Sequence, residues 1–533
     1  MSVMLRTPHP PDSSAPSLAD RPSDPKISWS ISQDKHRRPD TTVSAARRDV
    51  PPDERRPDAG YGSFPTTDRD IPKPAKQSTR ALAPDLLRGL LMLTMALDHM
   101  ALALNTWQHG TGRETEMDGV VIKEWNRPVA YVVRTLTHLC ASGFTMLLGV
   151  GVVYLGRSRT RLGWSSLRIA KYFAVRTAVL TLIGVLLGLA VSGGRVWFMN
   201  FVLFSLAIDY FLAGMLWLVI DTTEPLLARA VTRMFPDKVS EEDEVDEPLL
   251  RRDRAQDGSE FGVLVSWHVH NFLLAVLGLG PRIRRDAATL CGCERRTRRP
   301  RRVSQSPAWH LVLDHADGAR HVCLSPMAWV SFAVLGLLYG RIDVTRTWSS
   351  GIAALCNLVA GLGFLVLFVL TRVLRFGNLS EGCLQTPEHD KYPDRNPYLA
   401  SAQSFFYIIK YPPDVAFWAF TLAGNFFLLA FFGGIPTSVA KRFTLLLDFG
   451  RAALFFYITH LFFIFILGPI MVALFGHDTG IPTQMDPGST RGIDNAFAYF
   501  GIWAFAMLVM WPAVRWYGSF KGSKPADSIW RFF

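Results

Sequence analysis

The chain has 533 residues, of which 49% are hydrophobic and only 19% charged, and its formal net charge is +12 with a pI near 9.5. In a soluble protein that charge would suggest nucleic acid, but here the basic residues collect in tails and loops beside long apolar runs. This pattern excludes a soluble multidomain protein and a nucleic-acid binder, and fits membrane orientation and contact with anionic headgroups instead.

Residues 1–80 are rich in Pro, Ser, Asp and Arg and contain no apolar run, so they read as a disordered, cytosolic tail without a secretory signal. Apolar blocks of about 17–25 residues follow, each long enough to cross a hydrocarbon core. They predict spans at 82–106, 131–155, 173–192, 198–220, 261–280, 326–341, 350–374, 412–433, 451–475 and 496–516. The fold class is therefore an all-α polytopic membrane protein of about ten transmembrane helices, forming one domain over 81–533 with long loops at 221–260 and 281–325. The fifth span, which holds His268 and His270, either crosses or re-enters, and the sixth is short. Basic residues Arg157 to Lys171, Lys441, Arg442 and Arg515 to Arg531 fall on one side together with the N-terminus if the helix count is even, which places both termini in the cytosol. The arginine-rich segment 281–307 then falls on the opposite side, against the rule unless its length exempts it. Six cysteines do not make a disulfide framework, and Cys291 and Cys293, one residue apart, read as loop thiols rather than a metal site.

Ionisable residues inside spans cost roughly 2.5–3.5 kcal/mol at the bilayer centre and so point to function. In the first span Asp85, Arg88 and His99 fall within an arc of roughly 60°, with Arg88 and His99 about 16 Å apart along the axis, while Asp98 points elsewhere. Asp85 and Arg88 also suit an i,i+3 ion pair near the interface. The second span carries Arg134, His138, Ser142, Thr145 and Gly149 on one face. Lys410-Tyr411-Pro412-Pro413-Asp414 opens the eighth span, and the ninth carries Arg451, Tyr457 and His460. Histidine can act as base, acid or nucleophile near neutral pH. The sequence has no GxSxG elbow, HExxH or Walker A loop, which leaves hydrolase, zinc-protease and ATPase readings without support.

The motif Asp85-Leu86-Leu87-Arg88-Gly89 followed by Asp98-His99 resembles the opening of the heparan-alpha-glucosaminide N-acetyltransferase-like membrane family. Arg134 to His138 with Gly143-Phe144 and Leu148 to Gly151 resembles its second helix. Trp329 with Gly336 and Gly340-Arg341, then Lys410 to Pro413, Phe449-Gly450-Arg451 with Tyr457 and His460, and Trp511-Pro512 resemble later motifs in the same order. The likeness covers 82–533 and departs from the family at Ala328, where relatives have Pro before Trp. It implies a transmembrane bundle and acetyl transfer from acetyl-CoA. The family's catalytic histidine falls on His109 if a one-residue gap is allowed, and His99 stands where the sugar-acetylating member has an amide residue, so His99 and His109 both remain candidates.

The expectation is an acyl-CoA-dependent N- or O-acyltransferase. His99 or His109, beside Asp98, would act as base or transient acyl carrier. Asp85, Arg88, Arg134, His138, Lys410, Tyr411, Arg451, Tyr457 and His460 would bind CoA or the acceptor, a small molecule or glycan. No metal and no permanent cofactor is expected; acetyl-CoA is the co-substrate, membrane lipid surrounds the chain, and a homo-oligomer is compatible with it. The alternatives are a transporter or channel whose polar stripes line a path, and a non-catalytic membrane protein.

Overall fold

A computed structural model describes residues 82–107, 121–191, 201–235, 260–285, 329–345, 349–410, 413–480 and 488–525, with 482, 528 and 530. The tail expected over 1–80 lies outside the described residues, as does most of the expected loop at 281–325.

The fold is helical: α1 (Leu82–Leu104), α2 (Pro128–Arg161), α3 (Ser166–Val191), α4 (Phe201–Met234), α5 (Glu260–Arg285), α6 (Val330–Thr345), α7 (Ser350–Val373), α8 (Val415–Gly434), the short α9 (Thr444–Arg451), α10 (Ala453–Phe475) and α11 (Ala496–Ser523). Among the described residues nine of these are long and apolar enough to cross a membrane. The tenth crossing expected from sequence corresponds to α6, whose 16 residues span about 24 Å, which explains its weak signal. Helix α5, the uncertain fifth span, is one uninterrupted helix. The chain is an integral, multi-pass membrane protein by this architecture.

Several helices outrun the apolar windows that revealed them. Residues 221–234, expected as loop, continue α4 to Met234 through Pro225. Proline removes a backbone donor there. The hydroxyls of Thr222 and Thr223 bond back to the Leu218 and Val219 carbonyls, and Ser266 of α5 donates to the Glu224 carbonyl at 2.8 Å, which fixes α5 against this turn. The eighth helix starts later than its Pro412-Pro413 signal. Asp414 caps it, accepting from Phe417 N at 2.6 Å with one oxygen and from Leu379 N at 2.9 Å with the other. Asp414→Ala is expected to lower stability by about 1–2 kcal/mol, read as a fall in the thermal midpoint of detergent-solubilised protein.

Helix α1 lies at the centre, with Leu86, Leu87, Ala96, Met100, Ala101 and Leu104 fully buried. Around it α2, α8, α9, α10 and α11 share one apolar core, and α2, α3, α4 and α6 close a second. Two crossings are set by glycine. A Cβ on Gly450 would lie 2.0 Å from the Asp85 carbonyl oxygen, and one on Gly89 1.9 Å from that of Leu446, so α1 and α9 meet backbone to backbone. Helices α2 and α6 meet in the same way at Gly149 and Gly336, where the second Cβ would lie 2.0 Å from the Met146 oxygen. Gly336→Val must push the two backbones apart. Overpacking of this kind costs about 1–3 kcal/mol, and the expected result is loss of the monodisperse peak in size-exclusion chromatography after mild heating.

Contacts define two ends of the bundle. At one end residues 104–107 and 121–131, 374–410, and 476–480 with 488–495 meet: Ile493 N bonds to Leu104 O, Arg127 pairs with Asp494 at 3.0 Å, and Tyr131 donates to Gln403 O at 2.7 Å. Here residues 374–410 fold into a cap. Arg372, fully buried, donates to Asn378 Oδ1 and to Tyr407 O, each at 2.7 Å, and lies over the Tyr398 ring at 4.4 Å. Burial raises the Tyr398 phenol above its ordinary pKa and keeps it a neutral partner for Ser380 at 3.1 Å. A small core of Ile122, Cys383, Leu384, Tyr398, Tyr407 and Ile409 completes the cap. Among the described residues Cys383 is disulfide-bonded, while Cys140 and Cys356 are free thiols. At the opposite end α9 packs on the start of α1, and Trp511 of α11 donates to Asp448 at 2.9 Å.

Candidate functional site

Helix α1 turns its consecutive residues Asp98 and His99 to different neighbours. His99 meets α10: its Nδ1 lies 2.8 Å from His460 Nε2, and the ring planes are inclined by only 14°. His460 is fully buried, and its Nδ1 lies 3.0 Å from the Phe456 carbonyl oxygen. A carbonyl oxygen only accepts, so His460 Nδ1 carries the hydrogen and donates. In a neutral ring this leaves Nε2 as acceptor, and His99 Nδ1 is then the donor across the pair. The consequence is that His99 presents Nε2 as its basic nitrogen. His99 is half-buried, five residues from the end of α1, or about 8 Å below the capped end. Phe456 stacks on His460 at 5.1 Å and Tyr457 meets it edge-on at 5.6 Å, so the inner ring of the pair is held from two sides.

Asp98 faces α2 and α11. It lies within electrostatic reach of Arg134, His138, Cys140 and Tyr499. His138 Nδ1 donates to the Arg134 carbonyl at 2.6 Å and its ring packs on Phe417. Arg134 is buried; it donates to the Ile408 carbonyl at 3.2 Å and sits over the Tyr407 ring at 5.0 Å, which ties α2 to the cap. Lys410, half-buried at the inner edge of the cap, acts electrostatically on His138. Tyr499 of α11 donates to the Leu97 carbonyl at 2.7 Å and holds α1 at this depth.

The structure thus brings together Asp98, His99, Arg134, His138, Lys410, Tyr457 and His460 near the capped end. It places three other candidates elsewhere. Asp85 and Arg88 form the i,i+3 ion pair at 2.9 Å, and Arg88 also donates to the Gly450 carbonyl. Arg451 follows directly and is exposed. All three lie at the opposite end, because a shared helical stripe fixes direction and not depth. His109 and Tyr411 lie outside the described residues. Among the described residues no group of His, Cys, Asp and Glu is arranged to hold a metal ion.

A second polar cluster ties α4, α5 and α6. Arg341 donates to both carboxylate oxygens of Glu224, at 3.1 and 3.2 Å, and to Asn271 Oδ1 at 2.9 Å. His270, from the uncertain fifth span, lies beside it and bonds to Thr223 at 3.0 Å. Each of these bonds joins side chains of different helices, which makes the cluster a structural tie.

Tyr407 and Tyr499 were not legible as site residues. Tyrosines at helix ends are common interfacial anchors, and nothing in the sequence distinguishes these two. No family model matches the chain, and no curated protein matches it.

Proposed function

We propose that this chain is a membrane-embedded acyltransferase that moves an acyl group from acyl-CoA to an amine or hydroxyl acceptor, with His99 as the base. The observation that carries the reading is the His99–His460 pair, a half-buried imidazole whose basic nitrogen is fixed by a second, buried imidazole. The geometry suits proton transfer. His99 Nε2 takes the proton from the acceptor N–H or O–H as that atom bonds to the thioester carbonyl carbon. The C–S bond then breaks, and the departing thiolate takes the proton from the imidazolium, so the ring returns to its starting state and acylated acceptor and CoA leave. His460 keeps His99 in the required tautomer, as the orienting third group does in catalytic triads. Asp98 is turned toward Arg134 and His138 and balances their charge on the other side of α1, and Lys410 supplies a cation for an anionic part of either substrate.

The ordered motifs that resemble those of the heparan-alpha-glucosaminide N-acetyltransferase-like family support the same reaction class, and a glycan or small amine suits the acceptor. Acetyl-CoA is the simplest donor, acting as co-substrate. The basic segments at the end opposite the cap support cytosolic termini.

The test is CoA release from acetyl-CoA by the purified protein with a panel of amines and alcohols. Acceptor-dependent release that disappears when His99 is replaced supports the proposal. Full turnover in a protein lacking both His99 and His109 ends it, and acceptor uptake into proteoliposomes without CoA release would point to transport instead.

A further inference from the structure

We infer that the turn between α2 and α3 binds one anionic phospholipid, whose phosphate sits among Arg159, Arg168, Lys171 and Arg176 and whose acyl chains run down the outer face of α3. The inference is independent of the acyltransferase reading. Helix α2 starts at the cap, where Tyr131 donates to Gln403 O, and its 34 residues carry it about 51 Å to the opposite end. The sequence builds the turn there locally. Gly163 has a φ of 74°, Gly163 N bonds to Thr160 O, and Trp164 N bonds to Arg159 O. This is the glycine-ended stop in which the chain folds back on the last turn of its helix. It returns Trp164 onto Arg159, whose guanidinium lies 4.8 Å from the centre of the indole ring. Arg168 lies over the same ring at 4.1 Å. Arg159 also lies 5.7 Å from the Tyr172 ring, and Arg176 lies 4.8 Å from the ring of Tyr210 on α4. Arg168, Tyr172 and Arg176 follow at steps of four, so they share one stripe of α3, and side chains on a helix lean toward its N-terminus, here toward the turn.

The rings hold these guanidinium groups by their faces, which leaves the N–H edges to find acceptors. Among the described residues Arg168, Lys171 and Arg176 form no ion pair. Two buried groups here, Arg176 Nε and the Tyr210 hydroxyl, have no hydrogen-bond partner. Arg168 and Lys171 stand in the first two turns of α3, where the helix dipole favours an anion, yet the first turn holds no acid. Segment 157–171 as a whole has five basic residues and no acidic one. A phosphate supplies what this arrangement asks for, oxygen acceptors for planar guanidinium forks together with negative charge. The outer face of α3 selects a lipid as its source. Leu167 is 81% exposed, and below Lys171 the residues Val175, Ala178, Leu182 and Leu186 form an exposed apolar stripe. From Val175 to Leu186 is about 17 Å along the axis, close to half of a hydrocarbon core of about 30 Å. Lys171 is the one charge on that stripe and stands at its top, where a head group joins its chains.

Three measurements on the purified full chain test the inference. Native mass spectrometry follows lipid retention as dioleoyl phosphatidylglycerol or dioleoyl phosphatidylcholine is titrated into the detergent-solubilised protein. The double variant Arg168→Gln, Lys171→Gln alters two exposed side chains and is expected to bind phosphatidylglycerol roughly 30-fold more weakly than the wild type, at about a factor of five per basic residue. Phosphatidylcholine is expected to bind both proteins equally weakly. A second variant, with Arg295, Arg296, Arg298 and Arg299→Gln, removes a basic run outside the described residues and is expected to bind phosphatidylglycerol like the wild type. If only this second variant loses the lipid, the inference is overturned. Phosphatidylglycerol is also expected to raise the thermal midpoint of the wild type and not that of the double variant. An equal rise with inorganic phosphate at the same concentration assigns the site to a free anion and overturns the lipid. Finally, phosphatidylglycerol carrying a diazirine in one acyl chain is expected to label residues 175–186 on illumination, and labelling confined to other helices overturns the placement of the chains.

Discussion

His99→Ala is expected to lower acyl-transfer turnover by roughly 10²- to 10⁴-fold, the range over which a positioned general base contributes. The measurement is acceptor-dependent CoA release at saturating acetyl-CoA. The fall should appear in kcat with little change in KM, because His99 acts on the moving proton and not on the bound nucleotide. If His99→Ala keeps full rate while His109→Ala is inactive, the chemistry belongs to residue 109 and the histidine pair is structural.

His460 allows a finer reading. It touches neither substrate in the proposed mechanism; it accepts from His99 Nδ1 and donates to Phe456 O. His460→Ala removes the acceptor and frees the His99 ring to turn, so kcat should fall by less than in His99→Ala. His460→Gln restores an oxygen acceptor near the same place and should recover part of the loss. A merely space-filling role predicts the opposite order, with a large apolar residue such as Leu rescuing better than Gln.

The sequence made the spans legible because the bilayer imposes a length on apolar runs, and every expected span has a helix in the structure. Helix ends were less legible. Segments 156–161 and 221–234 are helical yet polar, since a helix that leaves the hydrocarbon no longer has to be apolar. Within the site, His99, Arg134, His138 and His460 stood out because each is an expensive side chain in an apolar run. Their partners did not stand out. His99 and His460 are 361 positions apart, and one sequence holds no information on which of two stripes will face each other. The same limit placed Arg88 and Arg451 with the histidines, although depth separates them. Asp209 was passed over in the apolar fourth span, and it is fully buried, with neither carboxyl oxygen hydrogen-bonded among the described residues. The cap was the least legible element: its hold on Arg134 runs through the Ile408 backbone carbonyl and the face of Tyr407, neither of which leaves a pattern in sequence.

The largest effect on stability is expected at Arg341. Its side chain is 9% exposed and that of Glu224 24%, and the two are joined by parallel hydrogen bonds, with Asn271 on the third donor. Arg341→Ala leaves a carboxylate and an amide oxygen without their donor at a three-helix junction. Removing one partner of such a pair costs about 3–5 kcal/mol, which should appear as a large fall in the thermal midpoint followed by intrinsic fluorescence. The charge argument is separable from the packing argument. Arg341→Met combined with Glu224→Leu fills similar space without charge, and replacing both members of a buried pair is often neutral, so the double variant should regain most of the loss. If it melts as low as Arg341→Ala, the guanidinium acts through shape and not through pairing. Because this tie joins α4, α5 and α6 while His99 and His460 lie on α1 and α10, whatever fraction of Arg341→Ala remains folded should turn over at the wild-type rate per molecule.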